Sequence, residues 1–224
     1  VRSIIRTERP DMLWFMTDPR FFPWLWEIED EIRSLIPMVY YHVWDNYPYP
    51  DFNKTWYNSS DVVVAISKVT HDIVKNVSPE VESHYLPHAV NPKIFKPLSD
   101  TEKKELREKS SIGEDKFVVF WNNRNARRKH PGTLIFWFKE FLDRVGHDNA
   151  QLLMHTDPHD PHGPDLNAVI QNLGLTSGQV MFSTSKLEFP QMAALYNIAD
   201  VTVNISDAEG FGLSTLESLS SGTP

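Results

Sequence analysis

Apolar residues in this chain fall into short β-branched or aromatic runs, separated by stretches with helical spacing. Residues 12–16, 38–43 and 61–66 each read as a strand. The third is the continuous run Val-Val-Val-Ala-Ile, the pattern of a strand buried on both faces. Between the first two, Leu25, Ile28, Ile32 and Leu35 recur at helical spacing with acids between them, predicting a helix over 24–36. The chain turns helical again from Ser67 to about Asn76, and 85–87 reads as a short strand.

Residues 87–99 are proline-rich and aperiodic, and Ser99-Asp-Thr-Glu102 fits a capping box that opens a charged helix. From there strands at 117–121, 151–155, 180–182 and 201–205 alternate with helices at 133–145, 165–173, 189–199 and beyond 212. Such alternation predicts right-handed βαβ units and a parallel sheet. The expected organisation is a first, partial Rossmann-like domain over 1–97, a connecting segment over 98–115, and a second α/β domain over 116–224. The chain begins without methionine and stops directly after a helix, where a sheet would want another strand, so a fragment is expected.

Composition narrows the function classes. A net charge of −8 disfavours general nucleic-acid binding, so an anionic ligand needs a local basic cluster. The chain has no cysteine, which removes disulfide and thiolate chemistry and is compatible with the cytoplasm. No apolar run approaches the ~20 residues that span a bilayer. Four N-x-S/T sequons read as chance, because Asn204 falls in an expected buried strand.

The basic cluster exists. Trp121-Asn-Asn-Arg-Asn-Ala-Arg-Arg-Lys-His-Pro-Gly132 follows the first strand of the second half, and ligands of open parallel sheets bind at strand carboxyl ends. Arg124, Arg127, Arg128 and Lys129 there suit a phosphate or diphosphate. At the far end of the same domain, Glu209-Gly-Phe-Gly-Leu213 leads into a helix carrying Glu217. Gly210 and Gly212 permit a sharp turn and close backbone approach, and the helix start offers unpaired N–H groups to an anion. The His- and Asp-rich stretch 155–165 is broken by prolines and reads as a surface loop beside a nucleotide rather than a metal site. The aromatic block Trp14, Phe15, Phe21, Phe22, Trp24 and Trp26 could line an acceptor groove or bind a lipid surface, but reads better as core or as an interface to an absent segment.

Together these features resemble the retaining glycosyltransferases of family 4, which have the GT-B fold of two Rossmann-like parallel-sheet domains facing a cleft. Glu209 and Glu217 match the E-x7-E motif in the form E-G-F-G-L-x-x-L-E, followed by Gly222-Thr-Pro224. Arg124 and Lys129 match its R-x4-K pair, with His130 where the pattern has glycine. Residues 87–97 resemble the interdomain segment, and 193–201 the helix-to-strand junction before the acidic motif. The resemblance implies a nucleotide-sugar donor, a glycan or small-molecule acceptor, and a front-face mechanism needing neither cofactor nor metal. It implies that Arg124, Lys129, Gly212 and Leu213 hold the diphosphate, and Glu209, Gly210 and Phe211 the transferred sugar. Glu217 would take the ribose, while the base would lie near Met181, Phe182 and Ser183. Glu209, together with His42 at the end of the second strand, would stand at the reacting centre. Two rival readings remain: a glycoside hydrolase, which needs carboxyls opposed across a bond, and a truncated binder that does not turn over. Exposed sheet edges favour homo-oligomers.

Overall fold

The computed structural model describes residues 1–44 and 46–224. Asp45, in the loop expected after the second strand, lies outside the described residues. The chain divides into two compact units, 1–88 with 208–211, and 89–207 with 212–224.

In the first unit, β1 (Leu13–Thr17), β2 (Met38–His42), β3 (Val62–Ala65) and β4 (Glu82–Tyr85) pair in sequential order, all parallel. The helices are α1 (Arg2–Glu8), α2 (Pro23–Trp26), α3 (Glu29–Arg33), α4 (Lys54–Asn58) and α5 (Lys68–Val77). Parallel strands joined sequentially by right-handed crossovers receive their connecting helices on one face. Accordingly Leu25, Trp26, Ile32, Tyr57, Ile73 and Val74 pack with Phe15, Tyr40 and Val63 in a single core. The opposite face carries Val39, Tyr41, Val62 and Val64, packed with Phe211. The helix expected over 24–36 is two short ones, because the backbone leaves helical geometry at Ile28, with φ −119°. The fourth strand starts at Glu82, earlier than expected. Of the aromatic block, Phe15 and Trp26 are buried, whereas Trp14, Phe21 and Trp24 are exposed.

In the second unit, α6 (Asp100–Lys109) opens with the capping box: the Ser99 hydroxyl accepts from the Glu102 N–H, and the Glu102 carboxylate from the Ser99 N–H. The Arg107 guanidinium on α6 donates to the Ile198 carbonyl and pairs with Asp200, so residues 98–115 are built into this unit. The strands β5 (Phe117–Asn122), β6 (Ala150–His155), β7 (Val180–Ser183) and β8 (Val201–Thr202) are parallel in the order β7-β6-β5-β8. Helices α7 (Pro131–Val145) and α8 (Leu166–Asn172) cover one face through Leu134, Ile135, Phe138, Leu142 and Leu166. Helix α9 (Phe189–Ile198) covers the other through Ala193, Tyr196 and Ile198. Helix α10 (Leu213–Ser220) follows β8.

The last strand is shorter than the sequence suggests. After Thr202 the regular ladder ends, and the Asn204 side-chain oxygen accepts the Ser206 N–H at 3.1 Å, a local bond that competes with it. Asn204 is exposed rather than buried in a strand, which removes the burial argument against its sequon.

Candidate functional site

The strand order reverses between β5 and β8. Where an open parallel sheet changes direction, the two loops at the strand carboxyl ends diverge and leave a crevice for a ligand. Here those loops are 123–130, with the basic residues, and 203–212, leading to α10. The 2.9 Å bond from the Asp207 N–H to the Arg128 carbonyl joins them.

The basic loop is anchored on residues 157–165, while Arg124, Arg127 and Arg128 stay exposed. Asn125 is fully buried and donates to the Pro158 and Pro164 carbonyls at 3.3 and 2.9 Å. The Arg127 N–H donates to the His162 carbonyl. Gly163 lies so close that a Cβ there would overlap the Asn125 side chain, so the packing of 123–130 on 157–165 requires glycine. Lys129 is only 5% exposed. Arg124 donates through Nε and Nη2 to the Asp160 carboxylate at 2.6 and 3.2 Å, and Nη2 also lies 2.7 Å from His162 Nδ1. The guanidinium holds the Asp160 carboxyl well below the usual carboxylate range.

Beside this platform an open cavity of about 370 Å³ runs along the carboxyl ends of β5, β6 and β7. Asn122, Arg124, His155, Asp160, Ser183 and Lys186 are among its lining residues. Of the three residues expected near a base, Ser183 lines this cavity, whereas Met181 and Phe182 pack toward the two cores of the unit. Ser183 Oγ lies 2.9 Å from His155 Nδ1, and burial lowers the His155 pKa. Sequence reasoning placed His155 in a loop beside a nucleotide without giving it a role of its own, and passed over Lys186, which sits in no recognisable motif. Among the described residues no group of three His, Asp or Glu side chains could hold a metal ion.

On the other loop, Gly212 takes φ +84° as N-cap of α10, a conformation that favours glycine. Gly210 does not share it. Helix α10 is fastened at its far end: Ser218 Oγ bonds Thr202 Oγ1 and the Thr223 carbonyl, and Thr223 Oγ1 donates to the Tyr196 carbonyl. The half-buried Glu217 accepts the Tyr196 hydroxyl proton at 2.8 Å. Tyr196 in turn accepts from Asn122 Nδ2 at 2.8 Å, at the end of β5. Burial raises the Glu217 pKa against the opposing effect of that hydroxyl, and raises that of Tyr196 strongly, so the phenol stays a donor. The relay Asn122–Tyr196–Glu217 therefore aims one carboxylate from the carboxyl end of β5. Tyr196→Phe should cost the second unit about 1–2 kcal/mol, the usual penalty for leaving buried polar groups unpaired. Urea unfolding measures it, and an unchanged midpoint would mean that the relay carries no load.

The remaining expected residues belong to the first unit. Glu209, Gly210 and Phe211 group with it, and the Phe211 ring lies 5.5 Å from that of His88. His42 is fully buried there rather than facing open solvent. Its Nδ1 is 2.8 Å from the Tyr40 hydroxyl and its Nε2 is 2.7 Å from that of Tyr57. Tyr40 Oη donates to the Thr17 carbonyl, and Tyr57 Oη accepts from Asn53 Nδ2. These partners fix a neutral ring with the proton on Nδ1: Tyr57 donates to Nε2, and Nδ1–H donates to Tyr40.

Comparison with known proteins bears on the same elements. Residues 102–224 match the family model described as glycosyl transferases group 1. Alpha-monoglucosyldiacylglycerol synthase of Streptococcus pneumoniae is 27% identical over 73% of this chain and 36% of its own length. The enzyme of the same name from Acholeplasma laidlawii is 25% identical over 77% of this chain and 42% of its own. The chain thus spans less than half the length of these curated relatives. Among solved structures, Anabaena HepE in complex with UDP and glucose superposes with a TM-score of 0.76 at 16% identity, over all of this chain and 60% of that one. Trehalose 6-phosphate synthase from Burkholderia multivorans superposes with a TM-score of 0.74 at 14% identity, over 98% and 56% of the two chains. These likenesses assign the fold as GT-B, with this chain covering part of it.

Proposed function

The chain belongs to the glycosyl transferases group 1 family, and we propose on that basis that it transfers a hexose from a nucleotide diphosphate sugar to a sugar or glycan acceptor with retention. UDP is the favoured carrier and glucose the favoured sugar, because the HepE complexes contain UDP and glucose and both curated relatives are named as glucosyl-lipid synthases. The observation that carries the reading is the bond from Asp207 to Arg128, which joins the basic loop at the β5/β8 switch point to the loop that leads to the Gly212-capped helix. A diphosphate leaving group gains negative charge as the glycosidic bond breaks. Cationic side chains and oriented amides stabilise that charge most when fixed in advance.

In this reading Arg124 and Lys129 meet the diphosphate from one side. The amides of Gly212 and Leu213, at the positive end of α10, meet it from the other. Arg124 comes to the ligand already aimed by Asp160, with Nη1 outside those contacts. Glu217 accepts the ribose hydroxyls, and the base lies in the cavity along His155 and Ser183. Glu209 stands beside the transferred sugar, and with Arg and Lys supplying the charge no metal is called for. His42 has no proton-carrying role here, since both ring nitrogens are committed to tyrosines. Among the described residues no helix is long and apolar enough to cross a membrane; a cytoplasmic setting goes with the reading.

Calorimetric titration with UDP, GDP and UDP-glucose tests it, followed by donor consumption with and without glycan acceptors. Binding with turnover is expected. Binding without turnover would favour a non-catalytic nucleotide-sugar binder, and silence toward every nucleotide would end the proposal.

A further inference from the structure

We propose that His130 is a positioning residue of the donor site, clasping the β8–α10 loop to the basic loop through Asp207. This rests on the donor reading above. His130 Nε2 lies 2.8 Å from Asp207 Oδ1, and Asp207 also donates its N–H to the Arg128 carbonyl. A side-chain bond and a backbone bond thus tie the two switch-point loops together at one residue.

The backbone at His130 gives the contact its meaning. The residue takes φ +52°, ψ +39°, in the left-handed region that costs most residues strain and costs glycine none. It is the N-cap of α7, yet its side chain makes no capping bond. Glycine would satisfy the backbone at this position better than histidine does, and the pattern that the basic loop resembles has glycine here. The imidazole instead reaches across to Asp207. Strain held where the two switch-point loops are joined points to a functional contact.

The consequence is pre-organisation. Arg124 and Lys129 lie on one loop and the Gly212 and Leu213 amides follow on the other, so a diphosphate bound by both needs a fixed loop spacing. Without the clasp, the loop leaving β8 must be ordered on binding, and affinity falls by that cost.

The experiment is calorimetry with UDP on the full chain and on His130→Gly, Asp207→Ala and the double variant, with a thermal melt of each. His130→Gly should melt at the same temperature or higher, because the strain is gone, yet bind UDP about 5-fold more weakly, the upper end for an exposed pair. Asp207→Ala should weaken binding similarly, and the double variant no further than either single. Unchanged UDP affinity in a folded His130→Gly overturns the proposal, as do single effects that add. If the unsubstituted chain itself binds no UDP, the donor reading fails and this inference with it. Binding by the unsubstituted chain with indifferent variants removes only the clasp.

Discussion

His42→Ala should destabilise the first unit by about 3 kcal/mol or more, large against the 5–15 kcal/mol that holds a typical domain together. The substitution removes a fully buried ring and leaves a cavity among Tyr40, Tyr57 and Trp44. It also strands the Tyr57 hydroxyl proton, whose acceptor was His42 Nε2. Urea unfolding of the variant measures the loss. An active-site histidine would instead give a normal midpoint with lost turnover, and that result would end the structural reading.

The same ring makes stability depend on pH in a defined window. Burial pushes the His42 pKa down from 6.5 to about 3. The unfolded chain therefore takes up a proton below about pH 6.5 that the folded chain refuses until about pH 3. Stability is intact above 6.5 and falls as pH drops through the window, by about 1.4 kcal/mol per pH unit once the unfolded histidine is fully charged. Carboxylates held low by partners, such as Asp18 beside Arg20, lose their contribution only at lower pH. Between pH 6.5 and 5 the unfolding midpoint of the first unit should decline in the unsubstituted chain, and decline less in His42→Ala. Parallel slopes would mean that other groups set the dependence.

His42 also illustrates what was readable from sequence. Strand β2 was evident from its apolar run, and period two alone puts Met38, Tyr40 and His42 on one face. All three are buried, so the burial of His42 was in principle legible from its companions. The partner Tyr57 was not, because it comes from α4 through packing that no local pattern encodes. The donor side divides similarly. The capping box at Ser99, the helix face of α7 and the Glu-Gly-Phe-Gly-Leu run are contiguous, so local rules reach them. The pairing of Arg124 with Asp160 and the relay from Asn122 through Tyr196 to Glu217 join distant segments, and only the strand order β7-β6-β5-β8 brings them together. Domain limits were harder. The proline-rich stretch suggested a linker, yet the charged helix after it is fastened to the second unit, where Arg107 pairs with Asp200.

Glu217→Gln should weaken UDP binding about 100-fold while leaving the fold intact. Glutamine keeps an oxygen that can accept the Tyr196 hydroxyl, so the relay from Asn122 survives and the melt should change little. It loses the charge that strengthens hydrogen bonds to a vicinal diol. Bonds to charged groups contribute about 1.5–3 kcal/mol, and ~2.7 kcal/mol is two orders of magnitude in affinity. The raised Glu217 pKa adds a second signature. A carboxylate that protonates above its ordinary range should make UDP affinity fall on acidification before an exposed glutamate would titrate, and Glu217→Gln should remove that part of the pH dependence. Calorimetry from pH 8 down to about 5 follows both effects, within the range where carboxylates titrate. An unchanged affinity in Glu217→Gln, or a pH profile identical to that of the unsubstituted chain, would take the ribose away from Glu217. The relay would then serve only to fasten α10 against β5.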